Sequence, residues 1–213
     1  MMEEIEPVRG KILFAGQYFQ LLGGRRTVEW REPRPAVWSP GKIEDAYAKM
    51  ESSPELGTSQ QFTALVNPHD ADGMGATTSF YFGSQVVAPG QRTPIHRHNT
   101  ETLYLLTRGN GFTDLVSPGR TEKTRIAWDA GDPFMVFTCP PHWWHAHENT
   151  GTTVMRIWAV QNIPELARRG ILAFDEGSGY QPVGTGPAPQ ADRCSEEPQA
   201  THRERIAKAL ADM

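Results

Sequence analysis

Five of the seven histidines lie in two short segments, Pro89–His98 (PGQRTPIHRH) and Pro140–His147 (PPHWWHAH). Imidazole nitrogen suits iron, copper, nickel and zinc. His96 and His98 are two residues apart, so on an extended strand both rings face the same side. A third nitrogen from His145, on a later strand, would complete a three-histidine metal site with positions left open. His147 shares the face of His145 by alternation and reads as an acid–base or substrate-contacting group rather than a fourth ligand.

The remaining candidates are weaker. His142 has the opposite parity and reads as structural, and His69 and His202 have no partners in the sequence and read as surface residues. Glu101 follows His98 with only Asn99 and Thr100 between them. On a regular strand it therefore points away from the histidine face, and a bulge would be needed to bring it back. It is expected to be a non-ligand.

The elements that must position these groups are strands. From Gln61 onward the chain runs Phe62–Val66, Thr77–Ala88, Thr102–Thr107, Gly111–Val116, Arg125–Ala127, Phe134–Thr138, His142–Glu148 and Thr153–Val160 as short alternating or β-rich segments. Turn signals separate them, among them Pro89-Gly90, Gly109-Asn110-Gly111 and Ala130-Gly131-Asp132. About eight strands at this spacing predict an all-β jelly-roll barrel rather than an α/β fold. Residues 1–58 form an expected N-terminal extension, with short apolar runs at Lys11–Phe14 and Tyr18–Leu22 read as edge strands or an arm. A short helix over Lys42–Met50 follows Ser39 as N-cap. The barrel is expected over 59–164. In 165–213, a helix over Ile163–Arg169 stops at Gly170, a Gly/Pro-rich tail covers Gly177–Pro198, and Thr201–Met213 has helical spacing.

With 213 residues and 38% hydrophobic content, the chain can bury a real core. Its net charge of −4 and the lack of a basic run argue against a nucleic-acid groove. The acidic start MMEEIEPVRG lacks the pattern of a secretory signal, and no apolar stretch has the length of a membrane span. Two cysteines, Cys139 and Cys194, make no disulfide framework. A reduced, cytoplasmic protein is expected.

The residues LVNP at Leu65–Pro68, ATTSFYFGSQ at Ala76–Gln85, PGQRTPIHRH at Pro89–His98, WHAHEN at Trp144–Asn149 and Asn162-Ile163-Pro164 resemble gentisate 1,2-dioxygenase, a cupin. The likeness covers about half the chain and one barrel, where most members of that family carry two. It implies Fe(II) held by His96, His98 and His145, with O2 and a small chelating substrate sharing the open positions. It also implies that Gln85 and His147 face the substrate, and that the protein is a homodimer. Zinc, manganese or nickel would fit the same nitrogens.

The departures bear on substrate. Tyr104 stands where the family has an arginine, Gln60 and Gln61 replace an arginine pair, and Ala159 replaces an aspartate. Arginines clamp carboxylates through charge-assisted bonds of about 1.5–3 kcal/mol each, so gentisate itself is disfavoured. A phenol, hydroquinone, aminophenol or diketone-like chelator suits Tyr81, Tyr104 and Gln85 better. Arg92, Arg97, Arg108 and Arg156 are the side chains that could compensate. Trp143 shares the ligand parity and is expected in the pocket, whereas Trp144 faces away. Two other readings stand beside the dioxygenase: a metal-dependent lyase, decarboxylase or isomerase with His147 or Tyr104 carrying the proton, and a non-catalytic small-ligand-binding cupin.

Overall fold

The structure, a computed structural model, describes residues 8–23, 34–53, 62–70, 73–129, 135–177, 179 and 181–182. The expected terminal helix over 201–213, most of the Gly/Pro-rich tail, Gln60, Gln61, Cys194 and His202 lie outside them. In chain order the elements are β1 (Val8–Arg9), β2 (Lys11–Phe14), α1 (Ala15–Gly23), β3 (Ala36–Val37), α2 (Pro40–Glu51), β4 (Phe62–Val66) and β5 (Tyr81–Val87). Then come β6 (Arg97–His98), β7 (Thr102–Arg108), β8 (Gly111–Val116), β9 (Lys123–Trp128), β10 (Met135–Cys139) and β11 (Trp144–Asn149). The last are β12 (Met155–Gln161), α3 (Ile163–Arg168), β13 (Ala173–Asp175) and β14 (Gln181–Pro182). No helix among the described residues is long and apolar enough to cross a membrane.

Two sheets enclose the interior. The larger has the order β10-β7-β12-β5-β4-β2 and the smaller β11-β8-β9. Alternation decides what each strand buries: in β7, Thr102, Tyr104 and Leu106 are buried while Leu103 and Thr107 are exposed. The inward residues Val87, Tyr104, Leu106, Phe137, Met155 and Ile157 of the large sheet pack with Leu115 and Trp128 of the small one. Each such aliphatic or aromatic side chain, fully buried, contributes about 1.5–3 kcal/mol. This is the cupin jelly roll.

Both flanks take part in the barrel. β2 pairs with β4 as the edge of the large sheet. The run Tyr18–Leu22, read above as an edge strand or arm, is instead the helix α1. Ala15, Tyr18 and Leu22 line one buried face at helical spacing, and the Gln17 side chain accepts the Phe14 N–H at 3.1 Å. Helix α2 starts at Pro40, two residues before the expected Lys42; Ser39 is its N-cap but makes no side-chain capping bond. At the other end, Gly170 adopts φ 67 as the expected stop after α3. Beyond it, β13 pairs antiparallel with β6, setting Phe174 opposite His98 and Asp175 opposite Arg97.

Candidate metal centre

The ligand strand is short and is held from both sides by main-chain bonds. His96 and His145 form an isolated antiparallel bridge, with N–H···O distances of 3.1 and 2.8 Å in the two directions. The carbonyl of His98 accepts the N–H of His142 at 2.7 Å. His142 is exposed and adopts φ 68, so its part here is played by its backbone. One nitrogen from each of His96, His98 and His145 falls in a group whose members all lie within 4.8 Å of one another.

The hydrogen bonds decide which nitrogen faces inward. Nδ1 of His96 lies 2.9 Å from the Pro94 carbonyl, and Nδ1 of His145 lies 2.9 Å from the Trp143 carbonyl. A carbonyl only accepts, so both Nδ1 atoms carry the proton and both Nε2 atoms keep a lone pair. In His98, Nδ1 is 2.7 Å from Thr100 Oγ1, while Nε2 faces the Gln161 amide nitrogen at 3.3 Å. Neutral rings oriented through one nitrogen are what a metal site uses; the other nitrogen keeps a lone pair, which in His98 faces Gln161 and in His145 faces the Tyr104 hydroxyl at 3.1 Å.

Burial reinforces it. Desolvation lowers the pKa of His96, His98 and His145, that of His98 to about 3, and the neighbouring imidazoles depress His98 and His145 further. Protons therefore do not compete for these nitrogens near neutrality. Cys139 sits 3.5 Å from His145 Nδ1, and burial pushes its thiol up to about 12, so it is no thiolate ligand.

Beside the rings of His96 and His98 lies a cavity of about 100 Å³, which His145 meets only through Tyr104, whose hydroxyl is 3.1 Å from its Nε2. This space is smaller than the cavity of about 150 Å³ known to accept benzene, so it holds one small ring at most. Its walls are mostly apolar: Tyr18, Phe19 and Leu22 from α1, with Phe62, Tyr81, Ile157, Ile163 and Phe174. The polar groups are Ser84, Gln85, Tyr104, Gln161 and Glu176. Gly83 also lines it, and a Cβ there would collide with the Thr63 carbonyl and the Tyr81 hydroxyl.

Comparison with known proteins agrees with this architecture. The family model described as Auxin binding protein matches residues 72–126. A 5-nitrosalicylic acid 1,2-dioxygenase from a Bradyrhizobium species is 24% identical over 177 residues, covering 81% of this chain and 78% of that protein. A gentisate 1,2-dioxygenase from a Ralstonia species is 28% identical over 126 residues, or 58% of this chain and 33% of its own length. A solved salicylate 1,2-dioxygenase from Pseudaminobacter salicylatoxidans superposes with a TM-score of 0.52 at 16% identity, covering 84% of this chain and 42% of that one. The chain has the cupin fold and resembles gentisate 1,2-dioxygenase. It spans a third of the Ralstonia enzyme and less than half of the salicylate enzyme.

The cupin's other expected site residues divide into two groups. Gln85, Tyr81 and Tyr104 line the cavity. The Tyr104 hydroxyl lies 3.1 Å from His145 Nε2, and burial raises its pKa well above the usual value. Tyr81 presents only its ring, because its hydroxyl donates to the Thr63 carbonyl at 2.8 Å. His147 and Trp143 do not line the cavity. His147 is fully buried, its Nδ1 lies 2.8 Å from Thr113 Oγ1, and its ring meets Tyr104 edge-on at 4.7 Å. Desolvation lowers its pKa to about 3, and its Nε2 makes no hydrogen bond. Trp143 precedes the first residue of β11, where alternation does not yet apply, and packs on the barrel core. Glu101 is exposed and outside the histidine group, its N–H bonded to Asn162 Oδ1 at 3.0 Å.

None of the four candidate arginines reaches the cavity. Arg92 pairs with Asp114 and Glu148, Arg97 with Asp175, Arg108 with Glu51, and Arg156 with Glu44 and Glu51. No lysine or arginine among the described residues lines it. Sequence reasoning missed Gln161, whose amide nitrogen reaches Thr100 and Thr102 at 3.2 and 3.0 Å as well as His98. Alternation from Ala159 on the same strand was the signal. It also missed α1, Phe174 and Glu176, which no local pattern ties to a metal.

Proposed function

We propose that this cupin is an Fe(II)-dependent dioxygenase that cleaves a small, single-ring aromatic or enolic chelator. The observation that supports the reading is the grouping of three imidazoles, each offering a nitrogen within 4.8 Å of the others, with His96 and His98 on the wall of a small, mostly apolar cavity. His96, His98 and His145 would hold the metal, and a donor set of three nitrogens suits iron with positions left for substrate. Bound Fe(II) would supply the means of bringing dioxygen and an electron-rich ring together.

The chain's own residues do the rest. Phe19, Phe62, Tyr81 and Ile157 exclude water and hold the ring's faces. Tyr104, kept protonated by burial, is a donor close enough to His145 Nε2 to reach a substrate oxygen held next to that nitrogen. Gln85 offers its amide to a ring substituent. His147 has a supporting place: Thr113 fixes its ring, and its ring in turn fixes that of Tyr104.

Three neutral ligands leave the charge of a divalent ion uncompensated, so an anionic chelator is favoured. With no arginine or lysine in the cavity, each acidic oxygen of the substrate must itself be a metal donor. Ortho-aminophenols, β-diketones and ortho-hydroxy acids with a neutral ring substituent meet this condition. The 5-nitrosalicylic acid in the name of the Bradyrhizobium relative is a compound of this kind. Gentisate meets the same condition through its carboxylate and 2-hydroxyl, but without the arginine its family places at Tyr104 it gains no further clamp in this cavity.

The test is oxygen uptake by Fe(II)-reconstituted protein with such a panel. Uptake coupled to an absorbance change is expected for at least one member. Full metal occupancy without uptake for any member would overturn the assignment.

A further inference from the structure

We infer that Glu176 is a specificity-determining residue, a fixed negative charge at the cavity that disfavours ring compounds carrying an acid group beyond the chelating pair and favours those carrying an amine. The inference rests on the reading of the site as a binding place for a metal chelator, and it adds a residue from outside the barrel strands.

Four observations carry it. First, Glu176 is the one acidic side chain among the described residues that line the cavity, and no basic side chain there offsets it. Second, strand register brings it to the ligands. β13 sets Phe174 against His98 and Asp175 against Arg97, and Glu176 follows directly on that strand and lines the same cavity as His96. Alternation then turns Phe174 and Glu176 to the cavity and Asp175 away from it. The Glu176 charge acts on the His96 ring.

Third, its backbone is pinned on both sides. Asp175 is 2% exposed and takes Arg97 through Nε and a terminal nitrogen at 2.9 and 2.8 Å. Its other oxygen accepts the N–H of Gly177 at 2.8 Å and of Gly179 at 2.9 Å. Arg97 also lies 4.6 Å over the Trp144 ring. The carboxylate of Glu176 is thus carried on a clamped turn. Fourth, Glu176 is an exposed residue that also lines the cavity, so it stands at the solvent edge of mostly apolar walls, where its charge is partly screened by water but reaches further than on open surface.

The test is calorimetry on Zn(II)-loaded protein, which binds without oxygen chemistry. The probes are three 2-hydroxybenzoates that differ in one ring substituent: methyl, aminomethyl or carboxymethyl. With affinities taken relative to the methyl probe, aminomethyl is expected to bind tighter and carboxymethyl weaker, each by roughly three- to tenfold. Glu176→Gln should draw both ratios toward one, and Glu176→Lys should reverse their order. Raising the salt should shrink the wild-type ratios, which a purely structural role for Glu176 would not do. Wild-type ratios that persist in Glu176→Gln would overturn the assignment. If the methyl probe itself fails to bind the loaded wild-type protein, the chelator reading falls, and this inference falls with it.

Discussion

Thr113 and Asp114 are neighbours on β8, both fully buried, and they deal with burial in opposite ways. Thr113 points into the barrel and makes one neutral bond, to His147 Nδ1 at 2.8 Å. Asp114 lies on the other face with a full charge, bound by Arg125 at 2.7 and 2.8 Å and flanked by Lys123 at 3.6 Å and Arg92 at 3.8 Å. The inner face therefore keeps neutral groups with lone pairs aimed inward, and the outer face keeps ions with their counter-ions. A buried charge must be compensated where it sits. On β8 the charge is held on the outer face and compensated there, which leaves the inner face to neutral groups.

The comparison breaks most sharply at the ligands. His96→Ala or His145→Ala should reduce metal content to background by elemental analysis, with the fold retained by circular dichroism. Stoichiometric metal in both variants would end the proposed site. His147→Ala should keep its metal, and loss as complete as in the ligand variants would make it a fourth ligand.

The next effect belongs to the groups that orient the ligands. Thr100→Val removes the partner of His98 Nδ1 and should weaken metal affinity by about 10–100-fold in a chelator competition. On the outer face, Asp114→Asn should cost about 2 kcal/mol in urea denaturation while leaving metal affinity near wild type. A large loss of metal affinity in that variant would show that the two faces are not independent. The smallest effect is expected for Arg92→Gln, about 0.5 kcal/mol, because its contacts with Asp114 and Glu148 are long, at 3.8 and 4.0 Å, and partly exposed.

The barrel strands and the shared face of His96 and His98 were legible in the sequence because both obey a two-residue period, and the structure groups these two with His145. Phe62–Val66 and Gly111–Val116 were expected to the residue. Legibility ended where position depends on distant chain. Tyr18–Leu22 is apolar enough for a strand, and what makes it helical is the buried face at Ala15, Tyr18 and Leu22 together with the Gln17 bond to Phe14. Trp143 has the right parity but precedes its strand. The arginines could be counted but not placed, since each is held by an acid far along the chain; Arg156 meets Glu44 across 112 residues. Glu176 was hidden for the same reason.

The pairing of β6 with β13 has a consequence for the order of events during synthesis. Arg97 and Asp175 are 78 residues apart, and Asn99 is joined to Ala173 across 74. Loop closure over such spans is entropically costly and tends to come late. The main-chain bridge of His96 to His145 and the Thr100 bond to His98 can form before β13 has been made, but the Arg97 pair with Asp175 cannot. A nascent chain thus reaches a stage with one wall of the cavity missing, and Phe174 closes it only once β13 has been laid down.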